Sequence, residues 1–438
     1  MKIAVIGAGI TGLGTAYALA EDHEVHLFEQ DRRLGGHAHT VDVRFGDATV
    51  PVDTGFIVFN ERNYPNLVGL FDHLDVPTKW SDMSFALSVA GGRLEYGCDN
   101  YDQLFAQRLN LLRPTYVRGM LEILRFNRTA PGFLTSGALR GVSLGAFLAR
   151  ERYSTWFRDR FILPFGGAIW STPTARMLEF PAESFVRFFH NHDLMNGMSA
   201  MQRWRTVAGG SREYVARLAA RLGDRIHAGT GAVAVRRAQG RPVVALSDGS
   251  EAGFDQVVFA CHGPQAHALL TDGDAQEREI LGAFKTSDNM AVLHSDPALM
   301  PRRRKIWASW NFLCGGSPAE DVRPAPVTYW MNRLQGIPKE TPLFVSLNPT
   351  APIREDLVHG TYSYAHPVFD AQAFAAQDRI GDIQGRGGLW YAGAWLGYGF
   401  HEDGLRTGLR VAQALGARPA WARDLPPPAD SALAEAAE

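Results

Sequence analysis

Side chains that could take part in a reaction are gathered in one short stretch near the C-terminal end, at Trp395, Tyr398, His401 and Glu402. A histidine such as His401 can accept or donate a proton near neutral pH. Glu402 and its neighbour Asp403 could equally cap a helix. The sequence shows no motif for a nucleophilic Ser or Cys and no pair of catalytic carboxylates. We therefore expect a bound group to supply the reactive chemistry, with these side chains beside it.

The first residues of the chain predict a site for a dinucleotide. Residues 2–6 form a short apolar run, typical of a buried parallel strand, and a glycine-rich turn and an Ala- and Leu-rich helix follow it. In such a turn Gly7 allows the tight bend, Gly9 lets the backbone approach a pyrophosphate, and Gly12 lets helix and strand pack closely. The start of the helix offers free N–H groups to the phosphates.

An acid and a second glycine pair extend this pattern. Glu29 ends the second predicted strand about twenty residues after the turn, where a carboxylate binds both ribose hydroxyls and disfavours a 2′-phosphate. Gly35 and Gly36 follow, and residues 52–56 then read Val-Asp-Thr-Gly-Phe. A second place where backbone can pass close to the cofactor indicates a longer, deeply buried dinucleotide.

These motifs resemble the flavin amine oxidase and phytoene desaturase-like superfamily. The likeness rests on the acid with its Leu-Gly-Gly turn at residues 34–36, the Asp-x-Gly motif at 53–55, Gly-Gly-Ser at 209–211 and the closing segment 389–408. It implies FAD, held noncovalently because no cysteine lies in the motif used for covalent attachment. The further cofactor contacts that it implies are Ile10, Thr11, Gln30, His37, Thr54, Gly55, Val233, Gly393, Ala394, His401, Glu402 and Asp403.

A narrower likeness concerns substrate and partner. Residues 307–311, 329–332 and 399–404 look like a bacterial subgroup of FAD-binding proteins associated with cyclopropane-fatty-acid-synthase-like methyltransferases. The association implies a desaturase of a fatty acyl chain, methyl-branched and phospholipid-bound chains included, with such a methyltransferase as functional partner. Two alternatives stay open: an amine oxidase acting on a polyamine or amino acid, and a nonenzymatic FAD-bearing partner of the methyltransferase.

The sequence departs from the superfamily pattern at two points. Ala394 stands where many amine oxidases have an acid, so Glu402 or Asp403 would have to compensate. No lysine is clearly placed to face the flavin, and Lys285 and Lys305 are the nearest candidates.

The predicted fold class is α/β, with a Rossmann-like FAD-binding domain of the amine oxidase type interrupted by a helix-plus-sheet substrate domain. We assign residues 1–75, 205–265 and 381–418 to the FAD-binding domain, and 76–204 and 266–380 to the substrate domain. Residues 419–438, which include three consecutive prolines, are expected to be a disordered tail.

Composition narrows the class of protein. The 44 basic and 46 acidic side chains nearly balance, which gives no indication of nucleic-acid binding. Three scattered cysteines favour a reducing cytoplasm over a disulfide framework. His190 and His192 lack a companion ligand at suitable spacing, so no metal site is predicted. We expect a cytoplasmic protein that could rest peripherally on the inner face of the membrane.

One region is strongly basic although the whole chain is not. Residues 102–160 contain ten arginines and four acids, in a segment with amphipathic helical periodicity. Core-facing helices with solvated arginines would explain this pattern. A basic amphipathic surface resting on anionic lipid would explain it as well.

Overall fold

The computed structural model describes residues 1–195, 203–316 and 318–424. Within them the strands are β1 (Lys2–Ile6), β2 (Glu24–Glu29), β3 (Thr40–Phe45), β4 (Ala48–Asp53), β5 (Phe59–Asn60), β6 (Thr78–Ser81), β7 (Phe85–Val89), β8 (Leu94–Gly97), β9 (Trp204–Val207), β10 (Ile226–Ala228), β11 (Ala232–Ala238), β12 (Arg241–Leu246), β13 (Glu251–Gly253), β14 (Gln256–Phe259), β15 (Lys285–His294), β16 (Trp310–Cys314), β17 (Val327–Trp330), β18 (Phe344–Leu347), β19 (Val358–Val368) and β20 (Leu389–Tyr391).

The α-helices of the same residues are α1 (Ile10–Leu19), α2 (Pro65–His73), α3 (Tyr101–Leu104), α4 (Pro114–Thr135), α5 (Leu144–Arg150), α6 (Thr155–Phe157), α7 (Leu163–Trp170), α8 (Ala182–Asn191), α9 (Arg212–Leu222), α10 (Gly263–Leu269), α11 (Ala275–Gly282), α12 (Met331–Leu334), α13 (Ala371–Arg379) and α14 (His401–Ala414).

A five-stranded parallel sheet in the order β10-β2-β1-β14-β20 forms the nucleotide-binding half of the molecule. Its central strand β1 is apolar because both faces of the sheet are covered, and Ile3, Ala4 and Val5 are fully buried. The strands come from three separated parts of the chain.

Helices α1 and α14 cross closely on one face of this sheet. A Cβ at Gly14 would lie 2.3 Å from Leu405, and a Cβ at Gly408 would lie 2.1 Å from Thr15 Oγ1. Only residues without a side chain permit this approach. The close crossing brings the N-terminal ends of the first and last helices to the same edge of the sheet.

Helices α10, α11 and α13 cover the other face. Ile280 and Leu281 of α11 and Ala373 of α13 share a buried cluster with Val257 and Leu389 of the parallel sheet. These helices lie in segments predicted for the substrate domain. These segments therefore pack on the parallel sheet as well.

The substrate half contains a seven-stranded sheet in the order β19-β15-β18-β17-β16-β7-β8. All its pairings are antiparallel except β16 with β7. The hairpin β3–β4 packs on this sheet, since Val43 and Val52 share a cluster with Leu293 and Val345. The small sheet β5-β9-β6 links the two halves, and α4, α5, α7 and α8 enclose a separate apolar cluster.

The predicted fold class is confirmed: a parallel α/β sheet and an additional sheet-and-helix unit are both present. The packed chain extends into the predicted tail, because Trp421 is buried beside Tyr17. Residues 425–438 lie outside the described residues. No helix of the described residues is long and apolar enough to cross a bilayer.

Candidate functional site

A cavity of about 760 Å³ lies between the two halves, at the carboxyl ends of the parallel strands. Each of the five strands sends residues into its lining just beyond or at its end; these include Gly7, Glu29, Gly231, Cys261 and Gly393. This edge is where open α/β sheets bind their ligands. The volume falls in the range of about 300–1,000 Å³ usual for small-molecule and cofactor sites.

The first glycine turn has the geometry expected for dinucleotide binding. Gly7 has φ +101°, a left-handed conformation that favours glycine. A Cβ at Gly12 would lie 1.7 Å from the carbonyl oxygen of Gly7, so this position admits no side chain. A Cβ at Gly9 would meet nothing within 4 Å, which leaves its cavity side open to a ligand. Gly12 itself packs behind the lining, whereas Ile10 and Thr11 line the cavity.

The second glycine turn packs against the first. The Gly35 N–H donates to the Ala8 carbonyl at 2.8 Å, and a Cβ at Gly36 would lie 3.2 Å from Gly9 Cα. Gly35 and Gly36 both line the cavity beside Gly9. The predicted meeting of the two glycine segments is therefore what the structure shows.

Glu29 also lines the cavity, and two backbone N–H groups orient its carboxylate. Ala8 donates to Oε2 at 2.7 Å and Asp31 donates to Oε1 at 3.0 Å. Each carboxylate oxygen keeps a further lone pair, so the group can still accept bonds from ribose hydroxyls. The adjacent Gln30 lines the cavity as well.

The Asp-x-Gly motif acts partly through its buried aspartate. Asp53 Oδ1 accepts hydrogen bonds from the backbone and the hydroxyl of Ser211, at 2.9 and 2.7 Å, and from the Thr40 hydroxyl at 2.7 Å. Gln335 of the substrate half donates to Oδ2 at 3.1 Å. Burial raises the pKa of Asp53 to about 6. The motif thus joins three chain segments behind the cavity, while Thr54 and Gly55 line it.

A group of imidazoles and one phenol lines the middle of the cavity. The rings of His262, Tyr364 and His366 lie 5.7, 5.1 and 5.5 Å from that of His37. Burial, together with the neighbouring imidazoles of His366 and His262, lowers the pKa of His37. Burial lowers the pKa of His366 to about 4. These rings are neutral at physiological pH. Thr54 anchors the group through its hydroxyl, 2.6 Å from that of Tyr364.

His401 is the first residue of α14 and lines the cavity, as predicted. Its ring stacks on Phe56 with centroids 3.8 Å apart, and its Nε2 lies 3.2 Å from the Tyr214 hydroxyl. Burial lowers its pKa to about 3, so the imidazole is uncharged. A neutral ring at a helix N-terminus leaves the positive end of the helix dipole available to a ligand.

Of the other catalytic candidates, only Trp395 lines the cavity. Its indole N–H donates to the Cys261 carbonyl at 3.0 Å, which fixes the ring at the wall. Tyr398 packs outside the lining, 6.2 Å from the Phe188 ring. Gly393 and Ala394, predicted as cofactor contacts, do line the cavity.

Glu402 and Asp403 have capping roles instead. Glu402 accepts from the backbone N–H groups of Asn66 and Leu67 at 3.1 and 3.0 Å, so it caps α2 from another helix. Asp403 accepts from the backbone of Tyr398 and caps its own helix. Neither carboxylate lines the cavity, because each points away from the strand ends toward backbone donors. The catalytic prediction for Glu402 and the cofactor predictions for both acids are corrected accordingly.

Val233 is likewise displaced from its predicted position. Its side chain is 56% exposed, whereas Gly231 and Ala232 line the cavity. A register irregularity between Ala232 and Ala234 turns the Val233 side chain outward.

The substrate half contributes an apolar and aromatic lining. Its members are Met83, Phe85, Phe165, Ile169, Phe188, Leu194, Trp204, Trp310, Tyr329 and Leu347. The only carboxylate that this half contributes among the described residues is Asp99, which accepts from Arg333 Nη1 at 2.9 Å. This end of the cavity therefore suits an apolar ligand.

Lysine is absent from the described lining. Lys285 pairs with Asp370 at 3.1 Å, and Lys305 pairs with Asp102, both at the surface. Neither candidate faces the cavity. Nor do the described residues contain a group of three potential metal ligands, and the His192 ring stacks on Phe188.

Several lining residues were missed by the sequence analysis. One is His366, which lies two residues after Tyr364 on β19, a spacing that places both side chains on one face of the strand. His262 directly follows β14, at the ligand-binding edge of the sheet. Arg33, between the acid and the glycine pair, donates to the Gly36 carbonyl at 2.9 Å and is the only described Arg or Lys in the lining. Phe400, stacked on Phe188 at 5.2 Å, had no sequence signal of its own.

Solved structures with the same fold include several flavoenzymes. Wild-type putrescine oxidase bound to putrescine has a TM-score of 0.69 at 16% identity, over 95% of this chain and 100% of that one. Cyclohexylamine oxidase from Brevibacterium oxydans IH-35A has a TM-score of 0.67 at 15% identity, over 94% and 98% of the two chains. The CLA-producing fatty acid isomerase from P. acnes has a TM-score of 0.67 at 14% identity, with the same coverage. The search of curated proteins finds no match.

Residues 10–293 match the family described as flavin containing amine oxidoreductase. This match spans well over half of the chain, and it includes Gly12 of the first glycine turn, Glu29, the second glycine turn and Asp53. The cavity has room for the cofactor of that family, with a glycine cradle and an oriented acid at its nucleotide end. The chain belongs to the flavin containing amine oxidoreductases and is an FAD-dependent oxidoreductase.

Proposed function

We propose that the protein dehydrogenates a fatty acyl chain, methyl-branched and phospholipid-bound chains included. The observation that carries this proposal is the substrate end of the cavity, which is apolar. Asp99 is its only carboxylate among the described residues, and Arg333 engages it. A polyamine would leave its ammonium groups without counter-charges there, at a high desolvation cost. A hydrocarbon chain gains free energy by leaving water for the same surface.

In this proposal the chain holds FAD with the residues of the nucleotide end. Glu29 accepts bonds from the ribose hydroxyls, and the backbone N–H groups at the start of α1 bind the pyrophosphate. Arg33 supplies a positive charge beside them. The N-terminal end of α14, at His401, stabilises negative charge on the cofactor through the helix dipole.

When bound, FAD would supply the acceptor for a hydride from the substrate. A saturated, unactivated carbon would be left with an unsupported positive charge, so the reacting C–H must lie next to a double bond. Loss of a proton from the neighbouring carbon then completes the new double bond. This second loss requires a base at the cavity wall.

His366 is the strongest candidate for that base. It lines the cavity, its ring is neutral, and its buried Nδ1 has no hydrogen-bond partner within the protein. As a neutral imidazole, the ring keeps one nitrogen lone pair, which can receive a proton from a substrate in the cavity. His401, the alternative, already uses its Nε2 in the contact with Tyr214.

A second candidate is oxidation of an apolar amine. The stacked rings of Phe188 and Phe400 at the cavity wall offer an apolar aromatic surface to an uncharged amine. Cyclohexylamine oxidase, whose fold this chain shares, is named for the oxidation of an apolar amine. The apolar end of the cavity could bind an apolar amine, whereas the ammonium groups of a polyamine would lack counter-charges there.

The experiment is anaerobic titration of the purified holoprotein, read as bleaching of the oxidised flavin spectrum. We expect unsaturated fatty acids or their phospholipids to bleach it, with mass spectrometry showing a product lighter by two hydrogens. Bleaching by cyclohexylamine but by no lipid would favour the amine candidate. A flavin that neither class reduces would support the nonenzymatic alternative and reject both.

A fatty-acyl methyltransferase remains the proposed functional partner. Its methyl-branched product, where it keeps a double bond beside the branch, would be a substrate for this dehydrogenation. Co-purification of the two proteins, and turnover that depends on methylated lipid, would test the pairing. Equal turnover of methylated and unmethylated chains, without complex formation, would reject it.

A further inference from the structure

The exposed large apolar side chains of this protein are concentrated in one place. Seven of the twelve found in the described residues lie between positions 101 and 124. Leu109 and Leu112 are 71% and 79% exposed, and Leu121 and Leu124 are 61% and 64% exposed. Single exposed leucines are ordinary, but a contiguous group marks an interaction surface.

Helix α4 presents part of this group as a continuous stripe. Val117, Leu121 and Leu124 follow the i, i+4, i+7 spacing of one helical face. The opposite face is already buried in the protein, at Tyr116 and Phe126 among others. The outer stripe therefore has no partner within the described part of the chain. We call the surface formed by Leu109, Leu112, Val117, Leu121 and Leu124 the leucine face.

Positive charge surrounds the leucine face. Arg113, Arg118, Arg125 and Arg128 are exposed on the same helix or at its start. Against them stand only two acids between residues 101 and 135, Asp102 and Glu122. Both are neutralised: Asp102 by Arg108 and Lys305, and Glu122, which is buried, by Arg118 at 3.1 Å. Arg113, Arg125 and Arg128 have no ion-pair partner among the described residues. An apolar stripe bordered by such arginines is complementary to anionic lipid headgroups over an acyl layer.

The inner side of the same segment packs on the wall of the cavity. Tyr116 and Met120 belong to one apolar cluster with Phe85, Cys98 and Phe165, which line the substrate end. Helix α4 and the side chains of this cluster therefore lie between the leucine face and the space proposed for the acyl chain.

We propose that the leucine face docks this protein on an anionic phospholipid bilayer, with the leucines inserted at the level of the headgroups and the arginines on the lipid phosphates. Docking holds the substrate end of the cavity at the membrane. A role in delivering lipid to the cavity rests on the proposed acyl-chain function, whereas docking itself does not.

The experiment is flotation of the full-length holoprotein with two kinds of vesicle. One contains phosphatidylcholine alone, and the other contains phosphatidylcholine with phosphatidylglycerol. We expect the protein to float with the anionic vesicles and to remain behind with the neutral ones. The double variant Leu121→Gln/Leu124→Gln should lose binding by roughly tenfold or more, because it removes buried apolar area while Gln preserves helix propensity.

Matched variants complete the design. Arg113→Gln/Arg128→Gln should weaken flotation and reduce its dependence on salt. Met290→Gln/Val322→Gln, which changes two exposed apolar residues far from the leucine face in sequence, should float like the wild type. Flavin content and thermal midpoint should match in all variants, because every changed side chain is exposed.

Three outcomes would overturn the proposal. They are absence of wild-type binding to anionic vesicles, unchanged binding of the leucine variant, or a leucine-dependent dimer in solution that fails to bind vesicles. The acyl-chain function is tested separately. If the protein floats as expected but no lipid reduces its flavin, docking is supported and the proposed acyl-chain function is rejected.

Discussion

At the scale of single residues, Glu29 should govern affinity for FAD. In Glu29→Gln the bonds from the Ala8 and Asp31 N–H groups lose their charged acceptor, as do the proposed bonds from ribose. Hydrogen bonds to a charged group contribute about 1.5–3 kcal/mol, so we expect FAD affinity to fall roughly 10- to 100-fold. Titration of deflavinated protein with FAD measures this change. Glu24→Gln, on the same strand but exposed, is the control and should bind FAD normally.

His366 should affect turnover and leave cofactor binding unchanged. His366→Gln removes the unpaired Nδ1 but keeps a polar side chain in the cavity. Loss of a general base typically lowers the rate about 100-fold or more, and the pH dependence of kcat should flatten with it. The control is His359→Gln, on the same strand, where the ring bonds to Ser295 at the surface. Normal turnover with full flavin content in His366→Gln would mean that another group accepts the substrate proton.

At the scale of elements, Glu402 joins the last helix to the second. Glu402→Ala would leave the N–H groups of Asn66 and Leu67 without their acceptor inside the protein. We expect a loss of about 2–4 kcal/mol in the free energy of unfolding, measured by urea denaturation. Glu21→Ala, an exposed acid at the end of α1, should change it little. An unchanged urea midpoint in Glu402→Ala would mean that α2 does not need this cap.

Glu402 should also make the contact between these helices depend on pH. Burial raises its pKa to about 7, so the folded protein binds a proton that the unfolded chain releases at lower pH. Its contribution to the free energy of unfolding therefore decreases as pH rises from about 4.5 to 7. Glu402→Gln should lack this decrease, which urea midpoints between pH 5 and 8 can show.

At the scale of the whole molecule, the buried histidines should make the fold sensitive to acid. Burial lowers the pKa of His192, His294 and His366 to about 4 and that of His401 to about 3. Below pH 6.5 these histidines are protonated in the unfolded chain but stay neutral in the folded protein. Each of them therefore lowers the free energy of unfolding by about 1.4 kcal/mol per pH unit. Asp53 and Glu402, whose pKa values are raised, act in the opposite direction.

The histidines with a lowered pKa outnumber these acids, so the free energy of unfolding should fall as the pH drops from about 6.5 to 5. Urea midpoints that stay constant from pH 7 to pH 5 would contradict it. In His401→Phe the loss on acidification should be smaller by about one ring's share, roughly 1.4 kcal/mol per pH unit.

The nucleotide end of the site could be predicted almost completely from the sequence. Gly7, Gly9, Gly12 and Glu29 lie within a single strand-turn-helix-strand unit, and their roles follow from backbone geometry that a short segment imposes on itself. The parallel sheet followed for the same reason, since its apolar strands alternate with helices of recognisable period.

Only the tertiary structure decided the substrate end and the function of the acids. Glu402 looked like a reactive group, yet its partners are the N–H groups of α2, 336 and 335 positions away in the chain. Tyr364 and His366 reach the cavity because β19 pairs with β15 at the edge of the seven-stranded sheet. Sequence periodicity assigns a face to a side chain, but what that face meets depends on the packing of distant elements. Long-range packing, and not local propensity, determined which polar groups of this protein line the cavity and which accept hydrogen bonds from backbone N–H groups instead.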